Sequence, residues 1–230
     1  MANQDSDFHA GHRERLRQKF LDDKLSDAEK LELMLGYIIP RRDVRVLSHQ
    51  LISEFGNLSG VLTAQFDKLV AFKGMGRNSA IFIKLINQLM LDGYKFQMKQ
   101  QPFFHNPDVL YNYCLNLFAG KTVEEFHVLF LDGDSRLLED WTHTCGTVNT
   151  SEVYPREIVQ RAMALNSRRL VLLHNHPSAQ AVFSQDDAIT TQRLANLLHA
   201  IGIELFDHLL IAGGIVNSAK SAHIFNTPHN

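Results

Sequence analysis

The chain is poor in cysteine. Only Cys114 and Cys145 occur in its 230 residues. They form no CxxC pair and cannot make a disulfide framework, so a reducing compartment fits best. Long apolar runs are missing as well. None approaches the roughly 18 residues needed to span a bilayer, and the opening MANQDSDFHAGHRERLRQKF lacks the apolar stretch of a secretory leader. These absences argue against a disulfide-stapled secreted domain and a helical membrane protein. The expectation is a cytoplasmic protein with no membrane partner. Net charge is slight at −2, but the total hides an asymmetry.

Residues 1–100 carry 15 basic and 12 acidic side chains, whereas the remainder carries 8 and 13. Nine of the 12 histidines fall in the second part, which raises the prospect of a metal there. The halves read as different modules, and a mildly basic first module is a weak pointer to an anionic partner. With 45% apolar residues, one or two domains can bury a core.

No strand-like alternation appears before residue 100, and the first module reads as a small all-helical domain. Residues 12–24 are charged and would form a largely solvated helix. Ser26 followed by Asp27-Ala28-Glu29 is a capping box opening a second helix, with Leu31, Leu33, Met34 and Leu35 on its apolar face. Residues 43–55 place Val44, Val46, Leu47, Leu51, Ile52 and Phe55 at helical spacing, closed by Gly56. The stretch 69–83 runs an apolar helix end into Gly74-Met75-Gly76 and then at once into a second helix. Glycines permit a tight turn, and the first N–H groups of the following helix can meet a phosphate oxygen. With Lys73 and Arg77 alongside, this resembles a helix-hairpin-helix gripping a DNA backbone non-specifically through Lys73, Gly74, Gly76 and Arg77. A plain helical hairpin capped by Gly74 gives the same pattern.

Residues 93–107 combine polar residues with Gly93, Pro102 and Pro107, and read as a linker between a helical domain over 1–92 and a second domain over 108–230. In that second domain Glu124–Leu131 is an apolar run ending in Asp132-Gly133-Asp134, a strand and hairpin. Pro155 opens a helix with Ile158, Val159, Ala162, Met163 and Leu165 on one face. Leu170–Leu173 is a short buried strand. Residues 185–201 form a helix with Ile189, Leu194, Leu197, Leu198 and Ile201 on its apolar face, and Ile203–Ala212 returns as a strand turned by Gly213-Gly214. Strands and helices mix without strict alternation, so the fold class is α+β, a mixed α/β domain with helices packed on a sheet, preceded by the all-α module.

The chemistry sits where the buried strand ends: His174-Asn175-His176-Pro177-Ser178, then Ser184-Gln185-Asp186-Asp187. Alternate strand residues share a face, so His174 and His176 present two imidazoles side by side, and Pro177 releases the chain into a loop. Asp187 returns a carboxylate at a helix start. Two histidines and one carboxylate leave a fourth position open, the pattern of catalytic zinc. A hydrogen-bonded pair of core histidines with Ser184 and Asp187 as a helix cap fits the same residues.

The HxHPS motif followed by SxxD, with ten residues between His176 and Asp187, resembles the JAMM (JAB/MPN) metalloprotease motif. More specifically, the chain is similar to RadC-family proteins over most of residues 12–220. The likeness includes the helix-hairpin-helix, Glu-x-Phe-x-Val-Leu-Phe-Leu-Asp at 124–132, Gly146-Thr147, Pro155-Arg156-Glu157, HNHPS at 174–178, Ser184 with Asp187, and Leu205-Phe206-Asp207-His208. It implies a JAB/MPN-like second domain with Zn2+ held by His174, His176 and Asp187 and water as fourth ligand. It makes Glu124, with neighbouring Glu125 as fallback, the general base and acid. Ser184 becomes an oxyanion stabiliser. Asp207-His208 fits a supporting role, while Cys145, His127 and His143 read as ordinary packed, strand or loop residues. Two positions depart from the family pattern: Ala179 where glycine is usual after HNHPS, and Phe183 where proline often precedes the serine. Residues 36–45 also lack the glycine-rich stretch common there.

Two functions follow. One is a zinc metallopeptidase cleaving a peptide or isopeptide bond in a protein or peptide substrate. The other is a DNA-associated accessory protein of repair or recombination, acting through the hairpin, with a structural or vestigial metal. A nuclease ranks behind both, because the ligand set suits one zinc rather than a two-metal clamp.

Overall fold

The computed structural model of the chain describes residues 3–40, 42–102, 105–146 and 154–226. Its contacts divide it into two compact units, Met1–Leu89 and Met90–Asn230. Thr147, part of the family likeness, lies outside the described residues, as do Phe103 and Phe104 of the expected linker and the side chain of Cys145. Among the described residues no helix is long and apolar enough to cross a membrane.

Among its described residues the first unit holds helices and no strand. It runs α1 (Asn3–Leu21), α2 (Asp27–Ile38), α3 (Arg45–Phe55), α4 (Leu58–Thr63), α5 (Phe66–Ala71) and the start of α6 (Arg77–Gln100). Ser26 caps α2 with the expected reciprocal box: its hydroxyl accepts from Glu29 N, and the Glu29 carboxylate accepts from Ser26 N. Leu31 and Leu35 of α2, Leu47 and Leu51 of α3, Leu69 of α5 and Ile83 of α6 form one core. Val46 was expected on that face but is exposed. It sits one residue, about 100°, off the Leu47–Leu51 row.

Residues 93–100 are not linker. They continue α6, because Leu91, Tyr94 and Met98 lie at helical spacing and pack into the core with α7 (Pro107–Phe118). The polar residues and Gly93 masked that stripe in the sequence. The division between units falls inside this helix, at Leu89/Met90.

The second unit carries a five-stranded sheet of order β2-β1-β3-β4-β5. The strands are β1 (Glu124–Leu131), β2 (Leu137–Gly146), β3 (Arg169–Asn175), β4 (Glu204–Ala212) and β5 (Ile215–Ser218). Only β3 and β4 run parallel; their crossover is helix α9 (Gln185–His199). Such a connection needs a dozen or more residues, usually helical. The β1–β2 turn is held by Asp132 Oδ1, which accepts from Asp134 N and Arg136 N.

One sheet face packs Leu129, Leu131, Val171, Leu173, Leu209 and Ile211 under α7. The other packs Phe126, Val128, Phe130, Leu170 and Leu172 under α8 (Pro155–Ala164) and α9. Burying one such side chain contributes about 1.5–3 kcal/mol. Met163, Ile189, Leu197 and Ile201, expected on the inner faces of these helices, are exposed. The buried row of α9 is Asp187, Thr191, Leu194 and Leu198. Its first two members are polar because that end of the helix faces His174, His176 and His208.

Candidate metal centre

The centre starts from the last turn of the β ladder. β1 and β3 pair with Phe126 opposite His174, which places both on the α9 face, their rings stacked at 6.4 Å. Past the strand end, His176 N still donates to Ile211 O of β4 at 3.0 Å. The chain therefore stays in line, and His176 presents its imidazole on the side of His174. Their Nε2 atoms lie 3.2 Å apart.

The carboxylate arrives from α9. Ser184 caps that helix through a reciprocal box with Asp187. Asp187 Oδ2 accepts from Ser184 N at 2.7 Å and from Ser184 Oγ at 2.6 Å. Asp187 Oδ1 is buried with no hydrogen-bond partner. It lies 3.4 Å from His174 Nε2, and Oδ2 lies 3.6 Å from His176 Nε2. The three ligand atoms fall within 4.8 Å of one another.

These residues fit a metal. A tetrahedral ion with bonds of roughly 2.0–2.1 Å holds its ligands about 3.3–3.4 Å apart, close to the 3.2 Å between the two Nε2 atoms and the 3.4 Å from His174 Nε2 to Asp187 Oδ1. A buried polar atom without a partner calls for an explanation, and a shared cation supplies one for Asp187 Oδ1. The His176 tautomer suits ligation too. Its Nδ1 is 3.1 Å from Gln180 O, a carbonyl that can only accept, so the proton resides on Nδ1 and the Nε2 lone pair faces the cluster.

Electrostatics agree. Burial alone would push the Asp187 carboxyl up, but the close imidazoles of His174 and His176 outweigh it and hold the group far below the usual carboxylate range. The same contact with Asp187 raises His176, and the Glu124 charge adds to that rise. Burial, reinforced by the nearby His174, holds His208 well below the ordinary imidazole value and so neutral.

The β register separates the two glutamates. Glu124 lies two residues before Phe126 and shares its face, toward His174 and His176. Glu125 points to the other face, where it accepts from Lys121 Nζ at 2.7 Å and lies 3.3 Å from His127 Nε2. The His127 contact and Lys121 hold its carboxyl down at about 2, against the pull of burial.

Asn175, between the two histidines, brackets Glu124. Its Oδ1 accepts from Glu125 N at 2.8 Å and its Nδ2 donates to Val123 O at 3.1 Å. A buried side chain thus extends the ladder one step beyond Phe126/His174 and fixes the peptides on either side of Glu124.

Ser184 stands 3 residues before Asp187 with its one hydroxyl proton directed to Asp187 Oδ2. To serve an oxyanion it must give up that bond. Phe183, where a proline was the usual choice, packs over His174 and His208, with ring centroids at 5.8 and 5.4 Å. Ala179 has φ +60°, the left-handed conformation for which glycine is suited. His127 is no ordinary strand residue: it bridges Glu125 and Asp140. His143 Nε2 accepts from Tyr154 N at 2.9 Å.

Asn175 and Thr191 were missed by sequence reading. The signal for Asn175 was its place between His174 and His176, and for Thr191 its spacing of one helical turn from Asp187. His208, seen as a supporting residue, has its Nε2 2.7 Å from His174 Nδ1 and its Nδ1 2.6 Å from Thr191 Oγ1.

In the helical unit, α5 and α6 are joined by the tight turn through Gly74, whose φ is +98°. A Cβ at Gly74 would meet Arg42 Nη2 at 3.1 Å, and the Gly74 carbonyl accepts from Arg42 Nη1 at 3.2 Å. Lys73, Gly76 and Arg77 are exposed, and the Arg77 guanidinium lies 5.3 Å from the Phe66 ring centre.

Comparison with known proteins agrees with this architecture. The family model described as a RadC-like JAB domain matches residues 104–224. A UPF0758 protein of Fusobacterium nucleatum subsp. nucleatum is 36% identical over 211 residues, 87% of this chain and 91% of that protein. A UPF0758 protein of Ruegeria pomeroyi is 36% identical over 213 residues, 91% of this chain and 95% of the relative.

Proposed function

Because the chain belongs to the RadC family, with a RadC-like JAB domain over residues 104–224, we propose that it is a zinc-dependent hydrolase of JAMM type acting on a peptide or isopeptide bond. The observation that carries this reading is the convergence of His174, His176 and Asp187 on the sheet face that Glu124 shares. A purely structural metal has no use for that glutamate. His174 and His176 would hold the ion through Nε2, and Asp187 through its unpartnered Oδ1. When bound, zinc supplies a Lewis acid that polarises a carbonyl and makes water nucleophilic near neutral pH.

The protein's own residues do the rest. The Glu124 carboxylate takes the proton that the attacking water loses and returns it to the leaving amine nitrogen. Asn175 holds the strand segment that carries Glu124. Ser184 orients Asp187, and its hydroxyl becomes an oxyanion donor only by exchanging its present bond. Phe183 covers the His174 ring and shields it from water. The test is hydrolysis of a peptide and isopeptide library by the zinc-loaded protein. Activity lost in Glu124→Gln while zinc content stays supports the reading; equal activity in that variant contradicts it.

A second reading, a DNA-associated protein, draws on the exposed Lys73, Gly76 and Arg77 around the α5–α6 turn. Duplex DNA binding that weakens with salt, and whose salt slope drops in a Lys73→Ala/Arg77→Ala variant, supports it. Absence of binding at low salt removes it.

A further inference from the structure

The polar row of α9 and a histidine from β4 meet behind one ligand. Thr191 Oγ1 is 2.5 Å from Asp187 O. That carbonyl can only accept, so the hydroxyl proton belongs to this bond. A threonine bonding the carbonyl four residues back is commonplace in a helix. What sets this one apart is His208 Nδ1, 2.6 Å from the same oxygen. With its proton already given, Thr191 Oγ1 accepts from His208 Nδ1–H. His208 is 1% exposed and its two ring nitrogens face a hydroxyl and another imidazole rather than a carboxylate, so it holds a single proton; with that proton on Nδ1, its Nε2 is a lone pair to which His174 Nδ1, 2.7 Å away, donates. His174 is left with its lone pair on Nε2, the atom facing His176 and Asp187.

We propose that Thr191 and His208 are positioning residues that lock His174 in its Nδ1–H tautomer and so prepare Nε2 to bind the metal ion. The inference rests on the metal reading above. The relay begins on the backbone carbonyl of one ligand, Asp187, and ends on the ring of another. It also accounts for the bulge in β4. The β3–β4 register slips between Leu170 and Val171, so that Leu205 and His208, rather than Leu205 and Asp207, face α9. Asp207 secures the slip by accepting from His208 N, Lys220 N and Ser218 Oγ.

The test uses the full chain and Zn2+ itself, measured by competition with a chromophoric chelator, together with nitrogen-15 NMR of the histidine rings in metal-free protein. Thr191→Val is nearly isosteric and removes the acceptor for His208 Nδ1–H. It frees His208 to move its proton to Nε2, which would place the His174 proton on Nε2. The expected result is zinc binding about 10–100-fold weaker, with the wild-type Nδ1–H signature of His174 lost. Thr191→Ser keeps the hydroxyl and is expected to restore both. A simple packing role would not move the tautomer. Wild-type protein that binds no zinc overturns the metal reading, and this proposal with it. Wild-type protein that binds zinc, alongside Thr191→Val with unchanged affinity and tautomer, overturns the proposal alone.

Discussion

Replacing Asn175 by alanine removes two hydrogen bonds from the strand that carries Glu124. The Glu125 N–H that Asn175 Oδ1 accepts is buried, and the Val123 carbonyl that Nδ2 serves is partly buried. An unsatisfied buried donor costs about 1–3 kcal/mol, and the partly buried carbonyl adds about 1. The expected loss is therefore about 2–4 kcal/mol. A unit of this size loses about 3–4 °C in Tm per kcal/mol, which gives a fall of roughly 7–14 °C. Asn175→Asp keeps an oxygen for Glu125 N but sets the other against the Val123 carbonyl, so it should lose at least as much. Thermal unfolding followed by fluorescence reads this directly, since Trp141 on β2 is the only tryptophan. A fall below about 3 °C in Asn175→Ala would refute the clamp, because that is less than one hydrogen bond's worth on this scale.

Other perturbations probe different parts of the account. Burial pulls the His127 pKa down, but Asp140 and Glu125 outweigh it and leave it raised. Its stabilising effect is therefore present below the unfolded value of about 6.5 and lost as pH rises through the folded value; His127→Gln should flatten that part of a denaturant stability-versus-pH curve. Glu125 and Asp140, both lowered to about 2, contribute in the opposite sense, with stability present above about pH 4 and lost toward about 2. Ala179→Gly should raise Tm slightly, because the left-handed alanine costs about 1–2 kcal/mol and glycine returns about 0.4–1 of that as chain entropy. Leu172→Ala, at a fully buried position between the strands and the helices above them, should cost about 2–5 kcal/mol in denaturant titration.

Much of this was legible in the sequence because it depends on neighbours along the chain. Ser26/Glu29 and Ser184/Asp187 are local capping patterns, and both form. The HxH spacing at a strand end carries its own geometry, and His174 and His176 converge as alternate strand residues should. What was not legible depends on pairing between distant segments. Which of Glu124 and Glu125 shares the face of His174 is decided by the register of Phe126 against His174. His208 reaches His174 across 34 residues through a parallel strand with a slipped register, which no periodicity reveals. The stretch 93–100 reads as linker because Tyr94 and Met98, at helical spacing from Leu91, are outnumbered by polar residues, and only packing with α7 makes them a core.

The central claim is that His174, His176 and Asp187 hold a zinc ion, and elemental metal analysis tests it most directly. The protein should be purified without a metal-affinity tag, beside a His174→Ala/His176→Ala variant. The account predicts about one zinc per wild-type chain, as for a site of one tetrahedral ion, and none in the variant. Wild-type protein without zinc after incubation with the metal, or a variant that retains it, would contradict the account.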